Sequence, residues 1–274
     1  MTCIVLLSIA IWIPIYIYIV SILSGGESLR IHAMSKYVAF DVETNGLFPD
    51  CPGGCLVGGP SILCAVTMIV TRTATGTMLC DPAIHWAANP GQTMATAEVD
   101  ELLEYLLISN AKGLVPMTWN GLGFDFRVLC ANCSEAKRED CKKLSLNHVD
   151  PMFTFFCQRG FPVALDSVAN AYQTMRKSGS GADAITDWSE GTEDSKKRVL
   201  DYCERDVAVL VAAVAACDMM ERVAWITKSK GKIAYSDRLD VFRTTAECLC
   251  DSEIDNSWMG SDRPTRLSFT RWAI

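Results

Sequence analysis

The sequence predicts an α/β domain, a mixed sheet flanked by helices. Runs rich in β-branched and apolar residues, such as 37–43 and 61–70, have the composition of buried strands. Segments such as 93–108 and 193–220 place apolar residues three and four apart, as helices do. Because strands and helices of this kind alternate along the chain, a mixed sheet covered by helices is favoured.

The elements are predicted in order along residues 36–222. They are strands at 37–43, 61–70, near 77–80 and at 114–119, and helices at 93–108, from 124, from 151, at 164–174, at 182–188 and at 193–220. A turn at Thr75-Gly76 joins the second and third strands, and a charged linker is predicted at 134–143. Residues 223–274, with a hairpin at Lys230-Gly231, form an extension for which no role is predicted.

The longest helix, 193–220, has an apolar stripe that is expected to pack inward. The stripe consists of Val199, Cys203, Val207, Leu210 and Val214.

The amino-acid composition limits the classes of function that the protein can have. The net charge of −7 excludes a globally basic nucleic-acid coat, but not a nucleic-acid enzyme with a carboxylate-rich site. The 13 cysteines are irregularly spaced, and we expect most to be reduced, in an intracellular protein. Neither Cys51/Cys55 nor Cys130/Cys133 has companion Cys or His pairs at zinc-finger spacing, so a structural zinc at Cys51/Cys55 is the less favoured alternative.

The N-terminal segment has two interpretations. Residues 4–23 are long and apolar enough to span a bilayer, and Arg30 and Lys36 behind them would keep the rest of the chain cytoplasmic. Alternatively, Met34 is the true start, since it immediately precedes the first core strand. On either interpretation residues 1–35 are predicted to lie outside the folded domain, and membrane association is expected only through residues 4–23.

The first predicted strand ends with two acids. Asp41 and Glu43 are two residues apart, so their side chains point to the same side of the strand. Two carboxylates crowded within an apolar run repel each other unless a cation lies between them, and Mg²⁺ or Mn²⁺ suits oxygen ligands. The alternative is a strand end whose acids point into water and cap the next turn.

Two later segments carry further acids. Asp125 follows a strand end at the beginning of a helix, while Tyr202 and Asp206 are four apart and share one helix face. Asp206, in an apolar helix, requires a cation if it is buried, either a basic side chain or a metal shared with Asp41 and Glu43. The alternatives are a solvated Asp206 and an ordinary core tyrosine.

Three motifs in this order resemble the DEDD superfamily of 3′–5′ exonucleases, in its tyrosine-bearing subclass. They are Phe-Asp-Val-Glu-Thr-Asn-Gly-Leu at 40–47, Asn-Gly-Leu-Gly-Phe-Asp at 120–125 and Tyr-Cys-Glu-Arg-Asp-Val at 202–207. The resemblance covers about residues 36–218. Within the superfamily, the sequence looks most similar to stand-alone relatives of the proofreading domain of family B DNA polymerases. It implies a ribonuclease H-like fold, with a five-stranded mixed sheet and helices on both sides.

The resemblance also implies a two-metal phosphodiesterase. Asp41, Glu43 and Asp206 would hold the first Mg²⁺ or Mn²⁺, and Asp41 would bridge to a second, whose shell Asp125 completes in part through water. Tyr202 would orient the attacking water, the role that separates this subclass from its histidine-bearing sibling.

The implied substrate is the 3′ end of a single-stranded nucleic acid, with DNA favoured over RNA. The implied substrate-binding residues are Thr44, Asn45, Gly46, Leu47, Asn120 and Phe124, with Leu47 wedged against the terminal base. The basic loop Arg176/Lys177 would either meet phosphates or be a solvated surface loop. Asp150 would either bind metal or cap its helix. The alternatives are an RNA-trimming exoribonuclease and a non-catalytic nucleic-acid-binding protein.

Overall fold

The computed structural model describes residues 34–48, 56, 58–175, 181–261 and 263–274, with the backbone alone at 181 and 182. Three predicted features lie outside the described residues: the apolar segment 4–23, the Cys51/Cys55 pair and the basic residues Arg176 and Lys177. Among the described helices, none combines the length and hydropathy needed to cross a bilayer.

A five-stranded mixed sheet forms the centre of the domain, as predicted. Strand β1 (Ser35–Thr44) lies between β2 (Ile62–Arg72), which is antiparallel to it, and β5 (Leu114–Met117), which is parallel. Strands β3 (Met78–Cys80) and β4 (Ile84–Ala87) both pair with the outer edge of β2. The sequence did not reveal β4, because a strand of four residues at a half-exposed edge has too little alternation to detect.

Helices follow the predicted order. They are α1 (Thr96–Ala111), α2 (Asp125–Asn132), α3 (Arg138–Leu146), α4 (Pro151–Arg159), α5 (Leu165–Tyr172), α6 (Gly181–Ser189), α7 (Glu193–Met220), α8 (Thr245–Leu249) and α9 (Arg266–Thr270). The bounds of α7 are those predicted. The prediction of a linker at 134–143 was wrong, because a 3-10 turn at Glu135–Lys137 leads into α3. Most residues of α3 are charged or polar, and only a narrow side with Cys141 and Leu144 is buried.

The two faces of β1 pack against different helices. On one face Phe40 meets Phe126 of α2 edge to face, with ring centroids 5.2 Å apart. On the other face Asp41 lies against Cys203 of α7. The buried stripe predicted for α7 is therefore the side that covers the sheet, and the expectation of helices on both sides is confirmed.

The C-terminal residues pack onto this domain. Strands β6 (Ala224–Ile226) and β7 (Ile233–Tyr235) form the predicted hairpin. Beyond it, Thr244 bridges to Val149, and the Phe242 ring stacks on Tyr37 of β1 at 4.9 Å. The indole Nε1 of Trp272 donates a hydrogen bond to the Leu122 carbonyl at 2.8 Å.

Candidate active site

The C-terminal end of β1 presents the first two predicted acids. The β1–β2 register shifts between Glu43, which faces Cys64, and Thr44, which faces Ile62. Such a bulge changes the direction of neighbouring side chains and is frequent next to active sites. Asp41 is half-buried, and Glu43 is 8% exposed. The alternative of two acids pointing freely into water therefore does not hold for Glu43.

A third potential ligand joins them from α7. Within the described part of the chain, ligand atoms of Asp41, Glu43 and Cys203 all lie within 4.8 Å of one another. The Cys203 thiol lies 3.5 Å from the Asp41 carbonyl and 3.8 Å from its Oδ2. Two carboxylates and one thiol form a donor set that fits a divalent cation, the thiol adding affinity for softer ions. Asp125 and Asp206 stand outside this group.

The sequence did not identify Cys203 as a potential ligand. It was assigned only to the buried stripe of α7, and it does pack inward there. Its position next to Tyr202, inside the third motif, was the signal that could have indicated a place beside β1.

Asp125 reaches β1 from the start of α2. It is 2% exposed, and its Oδ1 accepts a hydrogen bond from the Val42 amide at 3.2 Å, beyond the last β1–β5 pair at Ala39 and Met117. Burial, followed by the charge of Asp41, raises the pKa of Asp125 well above its usual range. A cation shared with Asp41 would favour the ionised form again.

Tyr202 and Asp206 approach from α7, one turn apart. Asp206 is 3% exposed, and its charge acts on the Tyr202 phenol one turn away. Burial raises the pKa of Tyr202 most, followed by the charges of Asp206 and Glu43, with a smaller effect from Asp41. The phenol therefore stays neutral and lies near the same group of acids.

Polar groups in the loop after β1 form hydrogen bonds that maintain the conformation of the loop. The Thr44 hydroxyl donates to the Gly46 carbonyl at 2.7 Å. The Asn45 side-chain oxygen accepts from the Ser61 amide at 2.8 Å, and its backbone amide donates to the Ser61 carbonyl. Leu47, by contrast, is 82% exposed and thus accessible to a ligand.

Phe124 belongs to an aromatic patch beside that loop. Its ring meets Phe48 edge to face at 6.5 Å, and the Arg127 guanidinium lies 3.7 Å above the Phe48 ring. Phe48 and Arg127 were not predicted, although an aromatic residue directly after Leu47 was a usable signal. The patch offers surfaces on which a nucleic-acid base could stack.

Asp150 acts as a helix cap. It is fully buried at the N-terminus of α4 and accepts a hydrogen bond from the Phe153 amide at 3.1 Å. It also accepts from the backbone amides of Asn120 and Leu122, at 2.9 and 3.2 Å. Of the two roles left open by the sequence, these contacts give Asp150 the structural one.

Comparisons with known proteins agree with the fold. A family model described as RNase_H superfamily matches residues 89–215, somewhat less than half of the chain. The match includes Asp125, Tyr202 and Asp206 and begins after β1. Together with the five-stranded mixed sheet, it assigns the chain a ribonuclease H-like fold and supports a nuclease.

Other comparisons add little. A search of curated proteins found no match. One similar solved structure is described as "Product bound structure of exonuclease I at 1.5 angstrom resolution", with a TM-score of 0.35 and 13% identity. The alignment covers 61% of this chain and 45% of that one. At this TM-score the likeness supports no inference about the site.

Proposed function

We propose that the protein is a metal-dependent 3′–5′ exonuclease that hydrolyses phosphodiester bonds at the 3′ ends of single-stranded nucleic acid, with DNA favoured. The observation that carries the proposal is the gathering of acids at the end of β1. Asp41 and Glu43 meet there, the charge of Asp41 adds to burial in raising the pKa of Asp125, and the charge of Asp206 adds to burial in raising the pKa of Tyr202. Buried like charges are costly to fold, so their concentration favours a site for divalent cations.

The acids would divide the metal binding between them. Asp41, Glu43 and Asp206 would hold one Mg²⁺ or Mn²⁺, and Asp41 would bridge to a second that Asp125 helps to bind. Bound ions of this kind generate hydroxide from water and stabilise charge on the attacked phosphate and the leaving 3′ oxygen. The chain's own part is to hold the carboxylates at fixed positions, which it does with the β1 bulge and the Val42–Asp125 hydrogen bond.

Tyr202 would orient the attacking water. Its hydroxyl stays neutral because burial and the charge of Asp206 raise the pKa of the phenol, and its oxygen can accept a hydrogen bond from a water. A water held by this oxygen would lie beside Glu43 and Asp41, the other two acids that raise the pKa of Tyr202. In this proposal Tyr202 positions the attacking water and does not transfer a proton.

The loop after β1 and the start of α2 would bind the 3′-terminal nucleotide. Leu47 is exposed and able to wedge against a base, while Phe124 and the neighbouring Phe48 offer aromatic surfaces. Thr44, Asn45 and Gly46 would contribute mainly backbone contacts, because the side chains of Thr44 and Asn45 already hold the loop. Asn120 would flank the strand from the opposite turn.

The test uses single-stranded DNA and RNA of the same sequence, labelled at either end, with Mg²⁺, Mn²⁺ or EDTA. We expect stepwise loss of nucleotides from the 3′ end of DNA, only with metal. Asp41→Ala should abolish this loss, whereas Asp201→Ala, an exposed acid on α7 paired with Lys197, should retain it.

The other outcomes separate the alternatives. Faster digestion of RNA would make the protein an exoribonuclease. Binding without cleavage by the metal-loaded wild type would make it a non-catalytic binding protein. Cleavage that persists in EDTA, or equally in Asp41→Ala, contradicts the proposal.

A further inference from the structure

The turn that precedes Asp125, residues 120–124, has an unusual backbone conformation. Asn120 has a φ of +68°, in the left-handed region that non-glycine residues seldom occupy. The turn also carries Phe124 and delivers Asp125 to β1. Asparagine tolerates this region better than other non-glycine residues, and the contacts around the turn hold it in place.

Asp150 holds the turn from one side. Its buried carboxylate accepts the backbone amides of Asn120 and Leu122, in addition to the Phe153 amide that it caps. The N-terminus of α4 is thus fixed to the turn by two hydrogen bonds, while the third caps the helix. Because Asp150 is fully buried, water does not compete for them.

The C-terminal residues hold the turn from the other side. Trp272 is 6% exposed, and its Nε1 donates to the Leu122 carbonyl at 2.8 Å. Both polar backbone groups of Leu122 are therefore bound by side chains, one from Asp150 and one from Trp272. A side-chain carbon added at Gly123 would lie 3.1 Å from the Phe269 ring, so the tail also closes over the turn.

The tail itself is anchored on α4. The Phe269 ring packs against Phe156 at 4.8 Å and Phe153 at 5.8 Å between centroids. The helix capped by Asp150 therefore also carries the segment that contains Trp272. Asp150, α4 and the C-terminal residues enclose the turn as one packed unit.

We propose that residues 266–274 are a positioning element of the active site, which through Trp272 and Phe269 holds the turn that presents Asn120, Phe124 and Asp125. The inference rests on the proposed function and deepens it. Trp272 is a positioning residue, because it touches the turn and not the reacting groups. The functional nuclease domain then includes the tail and does not end near residue 222.

Trp272→Phe tests this in the full chain, since phenylalanine keeps an aromatic ring but removes the Nε1 donor. Trp188→Phe is the matched control: Trp188 is equally buried, and its Nε1 donates to the Gln92 carbonyl, in the loop before α1. We expect Trp272→Phe to lower kcat and weaken Mn²⁺ half-saturation by about tenfold, the effect typical of residues that support metal ligands. Trp188→Phe should change neither value, although both variants lose one comparable hydrogen bond.

Amide hydrogen exchange supplies a readout that is independent of catalysis. Exchange in peptides covering residues 118–127 should accelerate in Trp272→Phe and stay as in the wild type in Trp188→Phe. If Trp272→Phe fails to fold, Phe269→Leu removes the second contact and is measured in the same way.

The outcomes distinguish this inference from the proposed function. If the wild type is active and Trp272→Phe has unchanged kcat, metal half-saturation and exchange, the inference is overturned. The proposed nuclease function is then unaffected. Equal losses in both tryptophan variants also overturn it, because they reveal a general stability effect. An inactive wild type overturns the proposed function, and exchange at 118–127 then decides whether the tail holds the turn.

Discussion

Strands β1 and β2, which α7 covers, have opposite electrostatics at their two ends. At one end Arg72 of β2 makes a two-pronged ion pair with Asp218 of α7, at 2.7 and 2.8 Å. At the other end, Asp41 and Glu43 of β1 meet the side of α7 that carries Tyr202 and Asp206. About 18 Å of helix separates Asp218 from Asp206, and about 24 Å separates it from Tyr202, at about 1.5 Å per residue.

The paired end is built for stability. The Arg72 and Asp218 side chains are only 10% and 12% exposed, and the Phe242 ring covers the guanidinium at 4.7 Å. At the acid end, by contrast, burial and then the charges of neighbouring carboxylates raise the pKa values of Asp125 and Tyr202. The paired end thus joins an acid to an arginine, whereas the other end gathers acids whose arrangement suits the divalent cation of the proposed function.

The largest effect is expected at the acid end. Asp41→Asn keeps the shape of the side chain but removes a ligand, so activity should fall on the order of 10³-fold. The metal-free variant should melt no lower than the wild type, since it loses like-charge repulsion. Initial rates and thermal melting in EDTA measure both, and a large stability loss with activity retained would reverse the roles of the two ends.

The opposite pattern is expected at the paired end. Asp218→Asn leaves the buried Arg72 without a carboxylate and should cost about 3 kcal/mol of unfolding free energy. Activity per folded molecule should not change, because Asp218 lies about three turns of α7 away from Asp206. Denaturant unfolding and rates measured well below the melting temperature check the two statements. A loss of activity in folded Asp218→Asn would show that the ends are coupled.

A smaller effect on catalysis is expected for Tyr202→Phe. Removing the hydroxyl should lower kcat on the order of 10²-fold through misplacement of the attacking water, while metal binding persists. Tyr105→Phe in α1, whose ring packs on Trp86, is the matched control and should keep full activity. Equal rates for Tyr202→Phe and wild type would contradict the proposed role of the Tyr202 hydroxyl in orienting the water.

The sequence was sufficient to predict those parts of the structure that depend on local patterns of residues. The bounds of α7 followed from its apolar periodicity, and β1 was recognisable as an apolar run that ends in two acids. The hairpin around Gly231 followed from turn chemistry, and its φ of +59° is one that glycine adopts easily.

Features that depend on distant contacts were not predictable. Asp150 is held by amides 28 and 30 residues earlier, and Trp272 bonds a carbonyl 150 residues away. Cys203 was assigned correctly to the buried stripe, but only the packing of α7 on β1 brings its sulfur next to Asp41. Pairings of this kind depend on the topology, which periodicity does not reveal.

The central claim is that the acid end exists to bind divalent cations, and calorimetric titration with Mn²⁺ tests it most directly. Wild type, Asp41→Asn and Asp218→Asn are titrated without nucleic acid, at a temperature where all three are folded. We predict that wild type and Asp218→Asn bind Mn²⁺ alike and that Asp41→Asn loses this binding. Absence of binding in the wild type, or equal binding in Asp41→Asn, would contradict the claim.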